Sequence, residues 1–123
     1  MTDYAADLAL FIDGAWSAGE GRDEMPVVNP ATGEAMTGLP MATPADLAAA
    51  LSAAERGFAL WRAKDVDARA AILHKTADLL RERAESIALL LTMEQGKPIA
   101  EARGEVLGAA QMFDWCAEDA KRM

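Results

Sequence analysis

Cysteine is almost missing from this chain: Cys116 is the single one among 123 residues. One thiol cannot build an internal disulfide framework, and its scarcity favours a reducing compartment. Histidine is equally rare, His74 alone, which excludes a metal site built on histidines. No apolar run approaches the ~20 residues that a membrane-spanning helix needs. The first fifteen residues hold Asp3, Asp7 and Asp13 and neither Lys nor Arg. That is wrong for a secretory signal or a mitochondrial presequence, so the expectation is a cytoplasmic protein. Basic residues are outnumbered, 12 against 20 acidic, for a net charge of −8. This balance argues against nucleic acid or an anionic membrane as partner.

What the chain has in abundance is alanine, 28 residues of it. The hydrophobic fraction of 52% therefore overstates the core. Alanine favours helix and buries little area, which predicts closely packed helices more than a large independent core. Residues 1–9 read as a flexible N-terminus and 10–42 as short strands and turns. Phe11-Ile12 and Trp16 flank Asp13-Gly14, a hairpin signal, and Gly19-Glu20-Gly21 is a loop. Met25 to Val28 can form a strand ended by Asn29-Pro30, and Glu34 to Leu39 another after Thr32-Gly33. None is long enough to be stable alone.

Residues 43–123 read as about four helices. Thr43-Pro44-Ala45-Asp46 supplies an N-cap hydroxyl, a first-turn proline and a carboxylate at the third helical position. Leu47, Leu51, Ala54, Phe58 and Trp61 then recur on one face. Asp65 or Asp67 caps a second helix with Ile72, Leu73, Ala77, Leu79 and Leu80 turned inward, and Arg69 can pair with Asp65 one turn away. Ile87, Leu90 and Leu91 belong to a third helix. It stops at Gly96, a left-handed C-cap, and Pro98 starts the fourth. On that last helix Ile99, Ala102, Val106, Ala109 or Ala110, Phe113 and Cys116 or Ala117 share a face. Glu101, Glu105, Glu118 and Asp119 fall mostly opposite Phe113, where a solvated face is expected. Gly104 and Gly108, one turn apart, suggest close approach by another backbone.

Three stretches, in order and with matching spacing, resemble the N-terminal part of an NAD(P)-dependent aldehyde dehydrogenase. They are Phe11-Ile12-Asp13-Gly14-Ala15-Trp16, Asn29-Pro30-Ala31-Thr32-Gly33-Glu34, and Glu94-Gln95-Gly96-Lys97-Pro98 with the segment onward to Arg122. Within that superfamily the chain is most similar to the succinate-semialdehyde dehydrogenase group. The resemblance implies an α/β fold, of which these residues are a mostly helical start of the cofactor-binding domain, incomplete and waiting for a sheet later in the polypeptide. It implies oxidation of an aldehyde such as succinate semialdehyde with NAD or NADP, in a homo-oligomer, by catalytic and cofactor-binding residues outside this chain.

The same resemblance assigns Glu94 to a monovalent-cation site, with the carbonyls of Val27 and Val28 before the Asn-Pro turn. Carbonyls and a carboxylate suit a hard cation. It also assigns Ala109, with Met112 and Phe113 nearby, to the wall of the tunnel leading to the nucleophile. That nucleophile is a cysteine thiolate in such enzymes, but it sits much later in the chain. Cys116, mid-helix beside Glu118 and Asp119, reads as a small buried side chain instead. Gly19-Glu20-Gly21 lacks the third glycine, the strand and the helix of a dinucleotide fingerprint. His74 reads as exposed or at the edge of the core. The alternative is a small acidic helical interaction module, or a truncated gene product without enzymatic activity, using Leu47, Leu51, Phe58 and Trp61 as its interface.

Overall fold

A computed structural model describes residues 8–18 and 21–122. Most of the expected flexible N-terminus and two residues of the Gly19-Glu20-Gly21 loop lie outside these. Contacts divide the chain into two units, residues 1–60 and 61–123.

The first unit opens with β1 (Leu10–Ile12) and β2 (Ala15–Ser17), antiparallel with Phe11 opposite Trp16. Asp13 and Gly14 both have positive φ, 52° and 79°. A type I′ turn requires this, and its twist matches that of the flanking strands. The Phe11 and Trp16 rings lie 4.8 Å apart. β3 (Glu24–Val28) and β4 (Ala35–Pro40) form a second antiparallel pair with an irregularity at Val27/Val28. Asn29 closes their turn, its side-chain oxygen accepting from Ala31 N–H at 2.9 Å and its carbonyl from Gly33 N–H at 2.8 Å.

Helix α1 (Pro44–Ala63) starts as the sequence predicts. Thr43 Oγ1 accepts from Asp46 N–H at 3.3 Å while Asp46 accepts from Thr43 N–H at 2.7 Å, a reciprocal cap. Asp46 also binds Arg22, which reaches it from the loop before β3. The apolar face of α1 is open: Leu47 is 60% and Phe58 63% exposed, and α1 buries none of its residues.

The second unit holds α2 (Val66–Glu82), α3 (Ala84–Gln95), α4 (Ile99–Asp119) and a 3-10 turn, Ala120–Arg122. Asp65 caps α2 by accepting from Ala68 N–H at 2.8 Å. The expected pairing of Asp65 with Arg69 is not made; Arg69 Nε has no hydrogen-bond partner among the described atoms. Gly96 ends α3 at φ 74°, its N–H donating to Thr92 O. Pro98 sits one place earlier than expected, at the N-cap of α4.

The core is built of methyl groups. Ala70, Ala77, Ala84, Ala88, Ala102, Ala110 and Ala117 are buried with Val106, and among the described residues no larger side chain is. Ile87, Leu91 and Leu107 pack against it from the side. Of the residues expected inward on α2, Ala77 is buried, Leu73, Leu79 and Leu80 are half-buried, and Ile72 is exposed. Small side chains let the helices approach closely, as the alanine content implies.

Candidate functional site

The buried row of α4 runs Ala102, Val106, Ala110, Ala117, at spacings of four, four and seven residues. Everything else on this helix follows from that row. Ala110 is inside and Ala109 outside; Ala117 is inside and Cys116 is exposed. The expectation of a buried Cys116 is therefore overturned. It lies one residue, about 100°, off the row that faces α2 and α3.

Away from that row, Gly108, Gln111, Met112 and Trp115 line a shallow open depression along α4. Their spacing is i, i+3, i+4, i+7, one stripe of a helix. Met112 is 59% and Trp115 63% exposed. Ala109 is exposed as well, whereas Phe113 is half-buried. Of the three expected wall residues, only Met112 lies in the depression; Trp115 belongs to it and sequence reasoning did not single it out. Among the described residues no backbone makes the expected close approach to Gly104 and Gly108. A Cβ at either would meet no described atom within 4 Å beyond the local helix backbone. Gly108 lowers the floor of the depression instead.

Val27 and Val28 lie on β3 in the first unit, and Glu94 lies exposed in the last turn of α3 in the second. Among the described residues no group of three or more His, Cys, Asp and Glu side chains is placed to hold a metal ion.

The densest polar cluster joins α2 to α4. His74 Nδ1 is 2.7 Å from Asp114 Oδ1, and His74 Nε2 is 2.9 Å from Glu118 Oε1. Arg81 donates to the other oxygen of Asp114 and, at 3.3 Å, to Asp78. Lys121 donates to Glu118 at 3.0 Å. Glu118, expected only to be solvated, thus ties two elements, and Glu105 accepts from Lys97 at 2.5 Å. Hydrogen bonds from Arg81 first and His74 second hold Asp114 below the usual carboxylate range. The local signs of this cluster were the i, i+4 spacing of Asp114 and Glu118 and the i, i+3 pairs Asp78–Arg81 and Glu118–Lys121.

Residues 16–123 match the aldehyde dehydrogenase family. The chain belongs to that family. It is 40% identical to the non-phosphorylating aspartate-semialdehyde dehydrogenase of Halomonas elongata, over 99% of this chain and 26% of that protein. It is 38% identical to the NADP(+) succinate-semialdehyde dehydrogenase of Escherichia coli, over 91% of this chain and 23% of that one. The crystal structure of succinate-semialdehyde dehydrogenase from Burkholderia pseudomallei superposes with a TM-score of 0.87 at 42% identity, covering 94% of this chain and 24% of that enzyme. The chain thus spans about a quarter of the length of the aldehyde dehydrogenases it matches, and corresponds to their N-terminal segment. Among the described residues no helix is long and apolar enough to cross a membrane.

Proposed function

We propose that this chain forms the N-terminal part of an enzyme that oxidises an aldehyde, succinate semialdehyde or a similar short ω-acid aldehyde, to its carboxylate with NAD(P)+. The match over residues 16–123 carries this reading, supported by relatives whose names specify semialdehydes. The described residues themselves do not fit a dinucleotide. Both sheets are antiparallel pairs, with no glycine-rich loop between a parallel strand and a helix. The thiol nucleophile, the base and the cofactor loops then belong to the remainder of the dehydrogenase polypeptide, in a cytoplasmic homo-oligomer. Choice between NAD and NADP rests with that remainder too. Within this reading the carbonyls of Val27 and Val28 and the carboxylate of Glu94 are ligands of a monovalent cation. Ala109, Met112 and Phe113, joined by Trp115, line the substrate tunnel.

The test is a chimera in which this chain replaces the corresponding segment of the Burkholderia pseudomallei enzyme. Aldehyde-dependent formation of NAD(P)H by the chimera, and none by the 123-residue chain alone, is the expected result. A folded but inactive chimera, or turnover by the chain alone, overturns the proposal. The rival, an interaction module using the exposed face of α1, gains from the folded and inactive chimera.

A further inference from the structure

His74 is the only histidine of the chain, and its ring lies between two acceptors. Asp114 and Glu118 stand one turn apart on the same side of α4. Both ring nitrogens of His74 meet their carboxylates within 3 Å, at 2.7 and 2.9 Å. A neutral imidazole carries one N–H. It can donate to one carboxylate, and it then turns a lone pair on the other. Two carboxylates therefore select the imidazolium.

The surroundings agree. From α2 itself come Arg81, bound to Asp114, and Asp78, bound to Arg81. The 3-10 turn supplies Lys121, bound to Glu118; Lys75, next in sequence, is exposed. With the imidazolium counted, three positive groups (His74, Arg81, Lys121) balance three negative ones (Asp78, Asp114, Glu118). Without it the cluster has an excess negative charge and a carboxylate against a lone pair. The start of α4 is held separately, by Arg103 to Glu85 and Lys97 to Glu105.

We propose that α2 and the C-terminal half of α4 are joined by a proton-operated clamp, in which the imidazolium of His74 holds Asp114 and Glu118 together and its deprotonation releases one of them. The clamp does not depend on the catalytic reading above.

The sign follows from linkage. Asp114 first, and Glu118 second, raise the His74 pKa above the ordinary histidine value. A raised folded value gives stability that is complete below about 6.5 and disappears as pH rises through the folded value. The pKa values of Asp114 and Glu118 are lowered, so their share is complete above about 4.3 and disappears as pH falls through their folded values. The clamp is thus tightest in mild acid and opens on the alkaline side.

The lone histidine gives a single imidazole C2–H resonance, so a proton NMR titration of the tag-free 123-residue chain needs no assignment. The expected midpoint lies above about 6.5, and the Asp114→Asn/Glu118→Gln double variant brings it down. A wild-type midpoint at or below that value, or one unmoved in the double variant, overturns the proposal. Melting of wild type and His74→Gln across pH is the second readout. The wild-type advantage should vanish as pH rises through the NMR midpoint; a difference independent of pH means that the ring only packs, and also overturns it. If His74→Gln does not fold, the titrations of the wild type and the double variant decide.

Discussion

At the scale of single residues, the start of α1 gathers several interactions on the one carboxylate of Asp46. Thr43 and Asp46 cap each other, and Arg22 grips the same carboxylate from the loop before β3. Hydrogen bonds from Arg22 first and Thr43 second hold Asp46 well below the usual carboxylate range. A depressed folded value contributes stability above about 3.9 and loses it as pH falls through that lower value. Thr43→Ala should cost about 1 kcal/mol in urea denaturation near neutral pH, the usual penalty for deleting an N-cap hydroxyl. An unchanged midpoint would mean that Arg22 alone sets the start of the helix. The cap was legible from Thr43-Pro44-Ala45-Asp46 because its partners are three residues apart. Arg22 was not, because it comes from 24 residues away.

At the scale of elements, the chain is punctuated by local conformations that few residues tolerate. Gly96 at φ 74° is the sharpest of these. An L-residue with a Cβ in the left-handed region crowds the following carbonyl, so Gly96→Ala should destabilise the chain by about 1 kcal/mol. Denaturant unfolding measures this, and a neutral result would show that α3 can end without its left-handed cap. Such signals made the four helices and the Asp13-Gly14 hairpin readable in advance. The choice between Ala109 and Ala110, or Cys116 and Ala117, was not readable. Adjacent positions on one helix share composition and propensity, and only the neighbours α2 and α3 decide which one turns inward. The contact of His74 with Asp114 spans 40 residues and left no trace in periodicity for the same reason.

At the scale of the whole molecule, many of the large apolar side chains among the described residues are exposed and the others are at best half-buried, Val106 apart. Leu47, Leu51 and Phe58 on α1, and Met112 and Trp115 on α4, are exposed while alanines fill the interior. Leu51→Gln and Phe58→Gln should therefore each change the stability of the 123-residue chain by no more than ~0.5 kcal/mol, as at other surface positions. Losses of several kcal/mol in chemical denaturation would show that α1 is sealed in solution. The same substitutions in the chimera are expected to cost more, since there the remainder of the enzyme is available to cover that face.

An interior lined with methyl groups also makes the bundle's tolerance lopsided. Truncation has almost nothing left to remove from it, so a shave-down survey would report an insensitive protein. Bulk is what these seams cannot take: with Ala77, Ala88, Ala102, Ala110 and Ala117 wholly shielded from solvent, a single isobutyl group in place of a methyl has nowhere to go except between helices already touching.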